Sequence, residues 1–149
     1  MLSKSKIQTQ KLAAGLAKKL LKMKSRKAKV VALFGELGAG KTTFTQGFAN
    51  ALGVESRVAS PTFIIFRKHE VGECDLHSHM KHIFHFDLYR IQKTSEILKL
   101  GFKKIINDPN NIVLIEWPEK IKGILPKNTI WVHFEHGKSL NQRSIKISR

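Results

Sequence analysis

Residues 35–42 read Gly-Glu-Leu-Gly-Ala-Gly-Lys-Thr, which fits the phosphate-binding loop pattern G-x-x-x-x-G-K-[ST] at every fixed position. A run of β-branched and apolar residues at 30–34 precedes this stretch and predicts a strand. The segment 41–52 predicts a helix that closes at Gly53. A strand, a glycine-rich turn and a helix in this order are the context in which the pattern binds phosphates. Nucleotide binding is therefore the first functional hypothesis.

The residue types of this loop explain the chemistry. Glycines let the backbone wrap closely around phosphate oxygens, and successive N–H groups at a helix N-terminus supply partial positive charge. Lys41 would add a full charge near the β- and γ-phosphates, and the Thr42 hydroxyl would ligate Mg²⁺. The loop thus predicts a nucleotide held together with magnesium.

Length and composition limit the architecture and the setting. A chain of 149 residues suffices for one domain of about five or six strands with flanking helices, and it is too short for a second catalytic domain. Cys74 is the single cysteine, so an intramolecular disulfide cannot form, and a reducing, cytoplasmic setting is the simplest inference. No apolar run approaches the roughly 18 residues needed to span a membrane. We expect a cytoplasmic protein without a membrane contact.

The charge is strongly basic and unevenly placed. Lys and Arg number 27 against 11 Asp and Glu, for a formal net charge of +16. Ten basic residues lie within 4–29, before the first acid at Glu36. This asymmetry points to a polyanionic partner such as RNA, and a well-solvated lysine-rich surface is the alternative.

The basic N-terminal region also has the pattern of a helix. Ser5 and Gln8 have the spacing of a capping box. The apolar residues that then recur at helical intervals are Leu12, Ala13, Leu16, Ala17, Leu20 and Met23. We predict a basic amphipathic helix at about residues 5–24.

Two acids follow predicted strands. Residues 112–115 form a continuous apolar run, typical of a strand buried on both faces of a parallel sheet, and Glu116 comes next. Ligands of open α/β sheets bind outside the carboxyl ends of the strands, which places Glu116 near the loop if the strands are neighbours. Segment 82–89, which contains Asp87, alternates partly and predicts a half-exposed strand. Glu116 therefore has the better case for the metal-side acid. Further strands are predicted at 62–66, 129–134 and 143–147, and short helices at 94–100 and 102–106.

Four ordered motifs carry a family resemblance. They are the loop continued by Thr43-Phe44, then Ser60-Pro61-Thr62-Phe63, His85-Phe86-Asp87-Leu88-Tyr89-Arg90 and Ile115-Glu116-Trp117-Pro118. With these motifs the chain resembles the bacterial TsaE family, the ATPases required for making threonylcarbamoyladenosine on tRNA. The resemblance implies an α/β, P-loop NTPase-like fold of three layers with a mostly parallel central sheet plus antiparallel strands. It implies a single domain over 1–149.

The resemblance also implies the activity and its residues. It predicts an ATPase that uses ATP and Mg²⁺, works with the transferase TsaD and its companion TsaB, reaches tRNA through that complex, and turns over slowly alone. The residues implied to hold the nucleotide are Gly35, Gly38, Ala39, Gly40, Lys41, Thr42, Thr43 and Trp117. The implied Mg²⁺ ligands are Thr42 and Glu116. The implied catalytic residues are Asp87, Glu116 and Thr62, with Thr62 in a switch-like loop.

Other functions stay open from the residues alone. A small-molecule kinase would share the loop and would need an acceptor pocket, usually with an arginine-bearing lid. A GTP switch is disfavoured because the sequence contains no N-K-x-D and no D-x-x-G segment. A pure RNA-binding module would explain the charge but would leave Glu116 unexplained.

A zinc site in the histidine-rich segment is a further candidate. Cys74, His77, His79 and His82 lie within nine residues, and all four are competent zinc ligands. Their spacing fits none of the usual structural zinc patterns, so we expect a solvated hairpin and no structural zinc. We expect His85 to be a structural hydrogen-bonding residue rather than a ligand.

Overall fold

The computed structural model describes residues 1–54, 65–72, 79–139 and 142–149. The strands in these ranges are β1 (Leu2–Ser3), β2 (Lys29–Gly35), β3 (Phe66–Glu70), β4 (His82–Asp87), β5 (Asn111–Glu116), β6 (Ile130–His136) and β7 (Arg143–Ser148). The helices are α1 (Lys6–Lys22), α2 (Lys41–Asn50), α3 (Thr94–Lys99) and α4 (Phe102–Asn107), and a 3₁₀ helix spans Pro118–Ile124. Across the described part of the chain, no helix is both long and apolar enough to cross a membrane.

The strands form a mixed sheet with a parallel centre. Their order is β1-β7-β6-β2-β5-β4-β3. The neighbours β6, β2, β5 and β4 pair in parallel, whereas β3 at one edge and β7 and β1 at the other pair antiparallel. All residues of β5 are buried, as expected for a central parallel strand with an uninterrupted apolar sequence. The prediction of a parallel central sheet with added antiparallel strands is confirmed.

Helices cover both faces of this sheet. Helices α1 and α2 pack on one face, where Phe44 belongs to the same core as Val31 of β2. Helices α3 and α4 and the 3₁₀ helix pack on the other face, where Phe102 joins Val30. Neighbouring residues of β2 serve opposite cores because successive side chains of a strand point to opposite faces. The predicted three-layer arrangement follows from this alternation.

Helix α1 begins as its sequence predicts. The Ser5 side chain accepts a hydrogen bond from the Gln8 backbone N–H at 3.2 Å, and the Gln8 side chain accepts one from the Lys4 backbone N–H. The helix packs closely on α2, since a Cβ added at Gly47 would lie 2.5 Å from the Gln10 Cα. The sequence predicted a helix at about residues 5–24, and α1 spans Lys6–Lys22.

The burial of β4 was predicted wrongly. Its residues Ile83, Phe84, His85 and Phe86 are all buried, whereas the partial alternation of segment 82–89 predicted a half-exposed strand. The strand lies between β5 and β3, and its side chains enter the cores on both faces. His85 made the sequence look alternating, because a buried histidine reads as a polar position.

Other differences concern short elements. Residues 62–64 of the strand predicted at 62–66 lie outside the described residues, and β3 starts at Phe66 and runs to Glu70. Strand β1 and the 3₁₀ helix were not predicted. Strand β1 has two residues, which are too few to show a periodic sequence pattern. It is recognised as a strand by its antiparallel pairing with β7.

Candidate functional site

A glycine-rich loop joins the carboxyl end of β2 to the start of α2. Gly40 caps α2 with φ 103°, a left-handed backbone that glycine adopts without strain. The first backbone N–H groups of a helix have no partners within that helix, and the helix dipole adds positive potential there. This end of α2 therefore has the geometry of an anion-binding helix start.

Lys41 is folded back over this loop. It is the first residue of α2 and is only 4% exposed. Its ammonium donates hydrogen bonds to the carbonyl oxygens of Gly35 and Glu36 at 2.7 and 2.8 Å, and it lies 4.2 Å from the centre of the Trp117 ring. The two bonds and the ring replace part of the water that the cation loses on burial.

The charge of Lys41 is balanced by acids. Burial lowers the pKa of Lys41 below the ordinary lysine value. The negative charges of Glu116, Asp87 and Glu119, in that order of strength, raise the pKa again in part. A buried cation therefore lies close to three acids, of which Glu116 is buried with it.

Asp87 and Glu116 end two adjacent parallel strands. They are partners in the register of β4 and β5, and Glu116 also pairs with Leu33 of β2. Because parallel strands end at the same edge of a sheet, both carboxylates reach the edge that carries the loop. The Asp87 carboxylate accepts a hydrogen bond from the backbone N–H of Tyr89 at 3.0 Å. From the sequence, Glu116 and Asp87 were alternative candidates for the metal-side acid. In the fold they lie side by side.

The Glu116 carboxylate is held by two neighbours. Its Oε1 accepts a hydrogen bond from the Thr42 hydroxyl at 3.3 Å and lies 2.9 Å from His85 Nε2. The His85 side chain is fully buried, and that of Glu116 is 4% exposed. The expected hydrogen-bonding role of His85 is confirmed, and its partner is the site's own acid.

Residues of the loop, the start of α2 and both strand-end acids line one cavity of about 360 Å³. The lining residues are Leu37, Gly38, Gly40, Lys41, Thr42, Thr43, Asp87, Tyr89, Glu116 and Trp117. Two of the predicted nucleotide residues lie elsewhere in the loop. Ala39 is fully buried and donates its N–H to the Glu36 carbonyl, and Gly35 ends β2 and bonds to Lys41.

Trp117 and Tyr89 form the aromatic wall of this cavity. Their ring centres are 5.0 Å apart. Trp117 has φ 60°, and no other non-glycine residue in the described part of the chain has a positive φ. Such a backbone costs about 1 kcal/mol or more and clusters at functional sites. Tyr89 was missed at first, although it lies in the same motif as Asp87.

The other candidate residues from the sequence analysis lie partly inside and partly outside the described residues. Thr62, Cys74 and His77 lie outside the described residues. His79 is exposed, and His82 contacts the Glu70 carboxylate and the Asn111 side chain, both at 3.3 Å. Searching the described ranges for three or more His, Cys, Asp or Glu side chains placed to hold a metal ion finds no such group.

The oxygen donors at this edge suit a hard cation. The Thr42 hydroxyl and the Glu116 carboxylate are in hydrogen-bond contact, and Asp87 lies beside Glu116 in register. All three line the cavity. Hydroxyl and carboxylate oxygens are the donors that Mg²⁺ prefers, so these residues fit that ion.

Comparisons with known proteins cover most of the chain. The family model described as threonylcarbamoyl adenosine biosynthesis protein TsaE matches residues 3–145. A Haemophilus influenzae protein named tRNA threonylcarbamoyladenosine biosynthesis protein TsaE is 39% identical over 117 residues, which are 78% of this chain and 69% of that protein. A Rickettsia felis protein of the same name is 36% identical over 129 residues, which are 86% of this chain and 67% of that protein.

A solved structure shares the fold. The crystal structure of Bacillus subtilis YdiB matches with a TM-score of 0.73 and 25% sequence identity, over 97% of this chain and 80% of that chain. This likeness agrees with the predicted P-loop NTPase-like fold.

Proposed function

This chain belongs to the TsaE family of tRNA threonylcarbamoyladenosine biosynthesis, and from that premise we propose that it binds and hydrolyses ATP with Mg²⁺, together with TsaB and TsaD proteins. One observation carries the proposal: a glycine-capped helix start, a buried lysine and two strand-end carboxylates share a single cavity. The proposal places the chain in the cytoplasm, with tRNA reached through the complex.

The loop and Lys41 would bind the phosphates. Backbone N–H groups at the start of α2 supply the first positive potential. The Lys41 ammonium, now bonded to the Gly35 and Glu36 carbonyls, would exchange those bonds for bonds to phosphate oxygens. Hydrogen bonds between two charged groups are about twice as strong as neutral ones, so this exchange favours the bound state.

The oxygen cluster would hold the metal and prepare the water. Thr42 and Glu116 would ligate Mg²⁺, which when bound neutralises phosphate charge and polarises the phosphoryl group. Asp87 lies beside Glu116 and opens onto the same cavity, which suits orienting the attacking water. His85 positions Glu116 from the buried side and keeps its carboxylate in one orientation.

The proposed enzyme depends on its partners. Few groups of the described site remain to activate water, so partner proteins would complete the competent arrangement. The test measures ATP hydrolysis by the isolated chain and after addition of TsaB and TsaD. We expect slow turnover alone and faster turnover in the complex.

Thr62 provides the matched pair for this test. Thr62→Ala should reduce the stimulation more than it reduces ATP binding, and Thr62→Ser, which keeps the hydroxyl, should retain it. Fast turnover by the isolated chain, indifferent to partners and to Thr62, would reject the proposal. Turnover that requires a small hydroxylated acceptor would support a kinase instead.

A further inference from the structure

A row of three aromatic rings lies on the sheet face opposite α1 and α2. The rings belong to Phe34 of β2 and to His133 and Trp131 of β6. The Phe34 and His133 ring centres are 5.4 Å apart, and those of His133 and Trp131 are 6.3 Å apart. Phe34 is 42% exposed, and the other two rings are partly exposed. We call these three residues the aromatic row.

The row is accessible because the core under the helices of that face is formed by β4, β5 and the first part of β2, and among the described residues it includes none from β6. The inward residues of β6, such as Val132 and Phe134, are buried in the core with α1 and α2. The outward residues of β6 and β7 stay partly or fully accessible. One exposed and two partly exposed rings in contact form an accessible aromatic surface, and contiguous apolar surface of this kind is often used for binding.

Basic and hydroxyl side chains flank the rings. Lys146 of β7 pairs in register with His133 and is exposed, and Ser148 pairs with Trp131. The Lys122 ammonium lies 6.0 Å from the centre of the Trp131 ring. Phosphates that pass beside stacked bases would meet these cations. These two lysines are part of the basic excess of the chain, whose formal net charge is +16.

Negative charge limits the row at one end. Glu135 follows His133 on the outward side of β6 and is exposed. Phe34 opens onto a cavity of about 510 Å³ that Glu36, Glu119 and Glu135 also line. A polyanion is therefore expected to lie toward Trp131 and Lys146, away from the acidic end.

We propose that the aromatic row binds single-stranded RNA. Bases would stack on the rings of Trp131 and His133, at the end of the row away from the acids, and phosphates would lie near Lys122 and Lys146. Every base has a flat π face, so stacking on aromatic rings beside cations binds single strands with little dependence on sequence. RNA is the nucleic acid chosen because the family acts in tRNA modification.

This site differs from the basic helix α1. The lysines of α1 lie on the other side of the sheet and offer charge without rings. Charge alone attracts any polyanion, whereas rings prefer unpaired bases. The choice of RNA rests on the family part of the proposed function, whereas the inference does not depend on whether the chain hydrolyses ATP.

The test uses the full-length chain without nucleotide and a labelled, unstructured oligoribonucleotide, followed by fluorescence anisotropy. We expect Trp131→Ala to weaken binding roughly 5- to 150-fold, the range for loss of one stacked base. Trp131→Phe keeps a ring and should retain most of the affinity. The same RNA annealed to its complement should bind more weakly to the parent and respond little to Trp131→Ala.

A second pair of variants tests the phosphate contacts. Lys146→Gln should reduce the slope of log affinity against log salt by about 0.7, the value for one single-strand phosphate contact. Lys18→Gln removes the same charge from the opposite face and should leave the preference for single strands intact.

Defined outcomes would overturn the inference. Equal affinity for single and double strands, or parent-like single-strand binding by a Trp131→Ala variant with a native circular dichroism spectrum, would do so. A Trp131→Ala variant that loses its TsaB and TsaD partners but keeps RNA would show a protein interface instead. ATP affinity of the same variant should equal that of the parent, so failure here is separate from failure of the proposed ATPase.

Discussion

A buried lysine lies near each end of β2, but only the lysine near the carboxyl end lines a cavity together with acids. Lys29 begins the strand and is 7% exposed, and Lys41 follows its other end and is 4% exposed. Burial lowers the pKa of both. The Lys29 ammonium contacts Met80 Sδ at 3.5 Å, whereas that of Lys41 donates to two carbonyl oxygens and is attracted by nearby acids.

The difference shows that a buried cation is not by itself a functional site. At the carboxyl edge the parallel strands β4 and β5 end in Asp87 and Glu116, and a helix begins. At the amino end of β2, burial is the cause of the lowered pKa of Lys29, and no acid opposes it among the described residues. Strand direction therefore decides where opposite charges and helix dipoles meet.

The largest expected effect comes from the acids at the carboxyl edge. Under the proposed function, Glu116→Gln and Asp87→Asn keep the shapes of the side chains and delete their charges. We expect each to slow partner-stimulated ATP hydrolysis roughly 100-fold or more and to change ATP affinity less. Glu70→Gln, an exposed acid at the amino side of the sheet, is the matched control. Parent rates in both site variants would contradict the assignment.

Removal of the carboxyl-edge cation should come next. Lys41→Ala deletes an ammonium that would bond phosphate oxygens, and loss of a charged hydrogen bond is worth about 1.5–3 kcal/mol. ATP affinity by calorimetry should fall by at least about 10-fold, with the circular dichroism spectrum unchanged. Near-parent affinity in a natively folded variant would remove Lys41 from the site.

The amino-end lysine should show the smallest effect. Lys29→Met removes a buried charge and keeps an unbranched side chain, so the free energy of unfolding should change by less than about 1.5 kcal/mol. ATP affinity should stay at the parent value. A large loss of ATP affinity in Lys29→Met would mean that the two ends of β2 are coupled. The contrast drawn between Lys29 and Lys41 would then be wrong.

The pH dependence of stability sharpens this prediction. Because the pKa of Lys29 is lowered on folding, the unfolded chain binds more protons between the lowered pKa and the ordinary value of 10.5. The free energy of unfolding of the parent should therefore rise with pH across that interval, relative to Lys29→Met. Urea titrations of both proteins at neutral and alkaline pH measure the difference, and parallel pH profiles would contradict it.

Much of the carboxyl edge could be predicted from local sequence. The loop needs glycines and a lysine at set spacing, and α2 follows directly. The apolar run before Glu116 predicted a strand buried on both faces, which β5 is. These features are local, because a few adjacent residues set the backbone and its exposure.

The wrong prediction, a half-exposed strand at 82–89, concerns residues whose spatial neighbours are distant in the sequence. The alternation of segment 82–89 predicted a half-exposed strand because His85 counts as polar in a pattern. In the fold His85 is buried against Glu116, a residue 31 positions away. A polar side chain with a buried partner breaks the rule on which the pattern depends.

Local chemistry thus set the loop, the helix starts and the apolar strands, since each depends on residues adjacent in sequence. The partnership of Asp87 with Glu116, the bond from His85 and the row of Phe34, His133 and Trp131 came from strand order and register. Register is a property of two paired strands, so the sequence of one strand does not show which residue of the neighbouring strand will lie opposite each of its own.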